Sequence, residues 1–270
     1  MHRKLKRFAK AALPPFLVDK GAALLGLNNR WTGDYPDWHS AVERSAGYDS
    51  KTVFSAALTA ARAVRDGEAL WERDSACFHI EDYNWNLLAC LMSVAATANG
   101  KLHVLDFGGA FGSTYMQHRR MLLQLPSISW NVVEQPHFVE SGKKEFETPR
   151  LKFFENMHQC FESESINAVL LSGVLQYVER PYQLLDEVVN FMPTAIIIDR
   201  TPIYEVERIT VQHVPTSVYK ASYPCRFLER ARVEACLKNL GSLSPWFASA
   251  MDPLNFQGIM ASAATENTLL

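Results

Sequence analysis

An apolar run, Leu102 to Leu105, ends in Asp106, and the chain then passes Gly108, Gly109 and Gly112 before Ser113 opens a stretch that can be helical. Few folds accept that order. It predicts a strand, a tight turn and a helix N-terminus. The glycines let the backbone approach a ligand, and the free N–H groups can donate to it. In open α/β sheets such a turn, at the C-terminal end of a central strand, is where nucleotide-like ligands bind. The acid narrows the choice. A pyrophosphate wants donors and positive potential, so Asp106 in the turn suits a ligand with a cationic or hydroxyl-bearing end. Gly-x-Gly-x-x-Gly from Gly108 would also need glycines where Ala110 and Ser113 stand. An ordinary glycine-rich turn with no ligand is the plain alternative.

From residue 101 onward the sequence alternates short apolar runs with helical stretches. Strands are expected at Leu102–Phe107, Ser129–Val133, Leu151–Phe154, Asn167–Ser172 and Thr194–Ile198, with two more near Leu243–Phe247 and Phe256–Ser262. Helices are expected at Ser113–Leu125, Phe138–Phe146, Pro181–Phe191 and Phe227–Asn239. Continuously apolar strands alternating with helices imply a parallel sheet covered on both faces, an α/β architecture. Residues 1–100 read as an N-terminal helical extension or lid, 101–263 as the sheet domain and 264–270 as a loose tail. The extension holds aromatic-rich segments, Trp31 to Trp38 and Trp71-Glu72-Arg73-Asp74-Ser75. Tyr83-Asn84-Trp85 then precedes an apolar helix, Leu87 to Ala98, stopped by Asn99-Gly100.

Bulk numbers exclude several classes. A 270-residue chain that is 48% hydrophobic and 21% charged suits one sizeable globular domain. A net charge of −2 gives no basic field for nucleic acid. The five cysteines are scattered, with no Cys-x-x-Cys, and read as buried thiols in a reducing, cytoplasmic setting. The histidines show no metal spacing, and no metal is expected. A basic start, His2 to Lys10, can rest on an anionic membrane surface or simply be solvated.

The segment Asp106 to Gly112 resembles the first motif of class I S-adenosylmethionine (SAM)-dependent methyltransferases, Asp-x-Gly-x-Gly-x-Gly, with Ala110 at the middle glycine. More narrowly, the chain resembles a family of methyltransferases associated with bacterial surface-polysaccharide loci. Gly33-Asp34-Tyr35, Glu72-Arg73-Asp74-Ser75, Leu105 to Gly109, Val133-Glu134-Gln135 and Ser222-Tyr223-Pro224-Cys225 carry that resemblance. It implies a three-layer Rossmann-like α/β fold: a mostly parallel seven-stranded sheet with the last strand antiparallel. It also implies SAM as cofactor and a small-molecule acceptor, such as a sugar or glycan precursor. Asp106, Gly108, Gly109, Gly112 and Ser113 would then cradle the cofactor. Glu134, with Gln135 beside it, ends the second strand about 20 residues on, where a carboxylate can accept from both ribose hydroxyls. Asn156 and Met157 fall where the superfamily contacts adenine. Ser172, Gly173, Gln176 and Tyr177 fall where it passes the methionine end.

A hydroxyl acceptor calls for a general base. Asp199, Arg200, Tyr204, His213, Tyr219 and Tyr223 are the candidates, in a segment, 200–225, read as an irregular acceptor-binding loop. His213 has a suitable ordinary pKa. Arg200 can instead hold an anionic acceptor or pair with Asp199. Three functions stay open: an active small-molecule methyltransferase, a catalytically silent SAM-fold binder, and a Rossmann enzyme binding NAD or a nucleotide sugar.

Overall fold

The computed structural model describes residues 31–46, 50–214, 221–244 and 256–263. The basic N-terminus, Tyr219 and the 264–270 tail lie outside the described residues. In chain order the elements are β1 (Trp31–Tyr35), α1 (Trp38–Arg44), α2 (Ser50–Arg65), β2 (Trp71–Arg73), β3 (Ala76–Phe78), α3 (Trp85–Thr97) and β4 (Lys101–Phe107). Then come α4 (Ser113–Leu122), β5 (Ser127–Val133), α5 (Pro136–Glu145), β6 (Leu151–Phe154), α6 (Met157–Ser163), β7 (Ala168–Ser172) and α7 (Pro181–Asn190). The chain continues through β8 (Ala195–Tyr204), β9 (Arg208–His213), β10 (Ser222–Glu229), α8 (Arg230–Leu237), β11 (Gly241–Ser244) and β12 (Phe256–Ala263).

The central sheet runs β6-β5-β4-β7-β8 in parallel, then β12 and β11. β12 is antiparallel to both of its neighbours. This is the mostly parallel, seven-stranded Rossmann-like sheet with an antiparallel last strand that the resemblance implies. Alternate residues of each strand feed two cores. Leu102, Val104, Trp130, Val132, Leu170 and Ile197 pack with α3, α4 and α5. Leu105, Val133, Val169, Leu171, Ile196 and Ile198 pack with α6, α7 and α8 on the other face. Every second residue points the same way in a strand, so a strand buried on both faces must be apolar throughout.

Three expectations need correction. The 200–225 segment is not an irregular loop: β8 continues to Tyr204, and β9 and β10 follow as an antiparallel pair joined by β1. Ile203 and Tyr204 pair in parallel with Leu228 and Glu229, so β8 joins β10, β9 and β1 to the central sheet. The aromatic loop at Trp31 to Trp38 becomes strand β1, with Asp37 accepting from the Ser40 N–H at 2.7 Å as the N-cap of α1. Residues 1–100 therefore contribute strands as well as helices, including the hairpin β2–β3. The helix expected from Phe227 begins only at Arg230, because the short apolar run there fits either period. β1 pairs with β9, far along the chain, which local periodicity does not register.

Candidate functional site

The turn after β4 has the backbone that its composition demands. Gly108, Ala110 and Gly112 all lie in the left-handed region, at φ +71°, +49° and +84°. A Cβ at Gly108 would stand 2.8 Å from Val174 Cγ2, and one at Gly112 2.9 Å from Leu151 Cδ1. Ala110 alone holds this conformation with a side chain. Asp106 lies beneath the turn. It is 1% exposed, accepts from Trp130 Nε1 at 2.9 Å, and would be 2.5 Å from a Cβ at Gly109. Burial pushes its carboxyl up to about 7, with the Glu134 charge adding to the rise. Asp106 therefore braces the turn from below rather than lining its open side.

Glu134 ends β5 beside the turn. Its two oxygens accept from the Ala110 N–H at 3.3 Å and the Gln135 N–H at 2.8 Å. Burial raises its pKa. Each oxygen keeps lone-pair capacity for a ligand hydroxyl. On the other flank, Ser113 Oγ donates to Glu72, a carboxylate 5% exposed whose pKa burial also raises. Glu72 belongs to the hairpin β2–β3. Its two-residue tip, Asp74 and Ser75, takes φ +51° and +66°, the type I′ geometry that matches strand twist. Trp71 stacks on Phe78 across that hairpin at 3.9 Å.

The chain from the hairpin to α3 is tied along α4. Arg73 Nη2 donates to Gln117 Oε1 at 2.7 Å, and Gln117 Nε2 donates to the Asp82 carbonyl at 2.8 Å. The Asn84 N–H donates to His118 Nε2 at 3.0 Å, while the other His118 nitrogen meets the Thr114 carbonyl at 2.8 Å. That arrangement makes His118 neutral with the proton on Nδ1, in keeping with a pKa lowered by burial. Asn84 caps α3 through the Leu87 N–H at 3.2 Å. Its Nδ2 reaches both Asp199 oxygens at 3.2 Å.

Asp199 also accepts from Ser172 Oγ at 2.8 Å. It begins a bulge in β8, where Asp199 and Arg200 stand opposite one residue between Gln257 and Ile259 of β12. Arg200 takes φ +51° there. Gln176 Nε2 donates to the Arg200 carbonyl at 3.2 Å. The Arg200 guanidinium lies against Gly173, where a Cβ would be 2.7 Å from Nη2.

The sequence candidates thus divide. Asp106, Gly108, Gly109, Gly112, Ser113 and Glu134 form one cluster, and Ser172, Gly173, Gln176, Asp199 and Arg200 another at the ends of neighbouring strands. Tyr177 and Tyr223 meet edge-to-face at 5.2 Å, and Tyr177 donates to Gln212 Oε1 at 2.9 Å. Met157 does not flank the cluster: it is 4% exposed within the core. The Asn156 oxygen is committed to capping α6 through the Gln159 N–H at 2.9 Å. Gln135 is exposed at the start of α5. His213 sits at the exposed end of β9, meeting Thr32 Oγ1 at 2.8 Å. Alternation along β9 sets it opposite in face to Gln212, which bonds Tyr177. Tyr204 packs on Phe227, with ring centroids 5.2 Å apart.

Glu72, Arg73, Asn84 and His118 enter the site without having been singled out as site residues. Asn84 had a visible signal, standing just before an apolar helix as an N-cap does. Its reach to Asp199, 115 residues on, had none.

No family model matches this chain, and no curated protein matches it. Among solved structures, it is similar to the N-terminal domain of EvdMO1, solved with SAH and D-fucose, at 14% identity and TM-score 0.47, over 80% of this chain and 98% of that one. It is similar to 1,6-didemethyltoxoflavin-N1-methyltransferase from Burkholderia thailandensis at 14% identity and TM-score 0.42, over 82% and 93% of the chains. The sugar N-methyltransferase KedS8 from Streptoalloteichus sp. ATCC 53650 gives 12% identity and TM-score 0.45, over 68% and 89%. Overlaps this slight have no bearing on the chemistry of the site.

Proposed function

We propose that this chain transfers a methyl group from SAM to a hydroxyl or amine of a small molecule. The observation that carries the reading is the charge around the glycine turn. Three desolvated carboxylates, Glu72, Asp106 and Glu134, surround it. Burying negative charge is costly unless a cation compensates. A pyrophosphate would be repelled by Glu72 and Glu134 on its flanks, whereas a nucleoside bearing ammonium and sulfonium groups would supply compensating positive charge. Glu134, anchored by two backbone N–H groups, is the acceptor for a ribose diol.

The cofactor supplies a methyl group on a sulfonium, open to in-line attack. The protein's work is then to position and to exclude water. Gly173, at the end of β7, makes room for the Arg200 guanidinium. Asp199, with three hydrogen bonds already made, is a positioning group that fixes Ser172 and the start of α3. The hairpin and the chain up to Asn84 close the flank along α4. For the acceptor, a sugar or glycan precursor is the class to screen first, on the family resemblance.

Isothermal titration with SAM and S-adenosylhomocysteine (SAH), with NAD as control, tests the reading. Micromolar binding of the first two, lost in Glu134→Ala, supports it. Binding of NAD instead, or of neither SAM nor SAH to folded protein, sinks it. Transfer of labelled methyl to a sugar panel then separates an enzyme from a silent binder.

A further inference from the structure

The acids Asp106, Glu72 and Asp199 have hydrogen-bond partners; a buried nitrogen of the Arg200 guanidinium near them has none among the described residues. Asp106 accepts from Trp130, Glu72 from Ser113 and the Ser75 N–H, and Asp199 from Asn84 and Ser172. Arg200 Nε is buried with no hydrogen-bond partner among the described residues. Its Nη2 comes no nearer than 3.8 Å to Asp74, whose side chain is 82% exposed, a distance too long for a hydrogen bond. A guanidinium carries five N–H donors in a planar fork. The Arg200 side chain is one-third exposed, so the outer N–H groups of its fork are within reach of a ligand.

Its placement is held against strain. Arg200 keeps a left-handed backbone inside a strand, at the bulge facing β12. Such outliers persist where the surroundings over-determine them, and they cluster at functional sites. Here the Gln176 bond to the Arg200 carbonyl and the Gly173 N–H bond to the Asp199 carbonyl, 2.9 Å, fix it. The missing side chain at Gly173 makes room for the fork. Arg73 adds a second cation close enough for the two charges to interact. Arg73 bonds neutral Gln117 and lies over the Trp71 ring at 5.0 Å. Two guanidinium groups interact here, and the nearest acid oxygen to Arg200 among the described residues, on exposed Asp74, is 3.8 Å away; the pair makes an anion site.

We infer that Arg200, seconded by Arg73, binds an anionic group of the methyl acceptor, a carboxylate or phosphate, over Gly173; the inference rests on the methyl-transfer reading of this site. The acceptor is then a small acid, such as a sugar acid or sugar phosphate, rather than a neutral sugar. The fork fixes its orientation and so selects which hydroxyl or amine faces the methyl group.

The test uses SAH-loaded protein titrated with inorganic phosphate, D-glucuronate and, as the uncharged control, D-glucose, followed by NMR. The expected result is saturable binding of an anion but not of glucose. Arg200→Gln weakens anion binding by about tenfold or more, and Arg200→Lys, which keeps the charge but not the fork, weakens it less. SAH affinity stays within about twofold of the parent in both, because Asp106 and Glu72 keep their hydrogen bonds to Trp130 and Ser113. Arg73→Gln provides a second variant should Arg200→Gln melt early, and weakens the anion several-fold. Anion binding indifferent to both arginines, or no anion binding, overturns the inference. So does a fall in SAH affinity in Arg200→Gln that 5′-methylthioadenosine does not share, which would assign Arg200 to the cofactor carboxylate. If the parent protein does not bind SAH, the methyl-transfer reading fails, while the same anion titration of unloaded protein still decides the role of Arg200.

Discussion

At the glycine turn, chemistry comes from neighbours. Asp106 and the glycines follow β4, and Glu134 ends the adjacent, parallel-paired β5. At the bulge within β8 it comes from afar: Asn84 caps α3, Ser172 ends β7, Asp74 tips a hairpin, and Asp199 and Arg200 share the bulge. The first region is built from local geometry that a Rossmann-like sheet supplies by itself. The second exists only if the N-terminal segment docks. The two can therefore fail independently. Loss at the turn should remove the cofactor and spare the fold, whereas loss at the β8 bulge should loosen the fold and spare the cofactor.

The sharpest test of that division is Glu134→Ala. Removing a charged acceptor of two ligand hydroxyls should cost SAH affinity about 2–3 kcal/mol, roughly 30- to 150-fold, by titration calorimetry. Unfolding by heat should barely change. A large drop in stability with little change in affinity would mean that Glu134 serves the Ala110 and Gln135 amides instead, and the comparison would break there.

The reciprocal test is Asn84→Ala. It removes an N-cap, worth about 1 kcal/mol, and a bond to the Asp199 carboxylate, for a total near 2 kcal/mol in chemical denaturation. SAH affinity should hold within about twofold, since the Asn84 side chain bonds Leu87 and Asp199 and not the turn. Asn84→Asp keeps the cap but faces Asp199 with a like charge. If it proves as stable as the parent, Asn84 is only a cap and the N-terminal segment is not latched there.

Asp106→Asn probes the cost of the buried acid. An unfolded aspartate ionises near 3.8, but Asp106 in the fold does so near 7. Between those values the folded chain keeps a proton that the unfolded chain has lost. Its stability therefore falls as pH rises from about 4 to about 7, and the loss is complete above that. Asparagine is uncharged throughout and can still accept from Trp130. The variant should gain stability over the parent at pH 8, on the order of 1 kcal/mol, and not at pH 4. Melting temperatures at the two pH values decide it. A gain at neither pH would show that the carboxylate is ionised without penalty.

The same division explains what could be read from the sequence. The parallel strands, the turn and Glu134 follow from apolar runs, glycine and an acid at a strand end, all signals within a few residues of each other. β1, β9 and β10 escaped because their residues mix polar and apolar side chains without a continuous apolar run, and β1 gains its stability from a distant partner. Trp31 pairs with Gln212, and Tyr223 with Gln212 from the other side. Met157 and Asn156 match a motif by position, yet a buried core contact and a helix cap are what those side chains make. Glu72 and Arg73 stood out as unusual composition. Only the hairpin fold shows that they face the turn and α4.

The smallest effect belongs to Ala110, where sequence departs from motif but backbone does not. Its φ of +49° sits between Gly108 and Gly112, both also positive. Any L-residue with a Cβ gives up about 1 kcal/mol in that region, whereas glycine gives up none but loses more freedom on folding. The Ala110 methyl also packs on the first core. Ala110→Gly should therefore stabilise by only about 0.5 kcal/mol, the strain relief less the entropy and the lost contact. SAH affinity should be unchanged or slightly better, because the N–H that meets Glu134 stays in place. A destabilisation above about 1 kcal/mol would show that the methyl group is a packing element, and that this turn departs from three glycines to fill its core. Ala110→Val separates the two cases further: a β-branched side chain resists left-handed backbone, so it should cost more than alanine's packing could return.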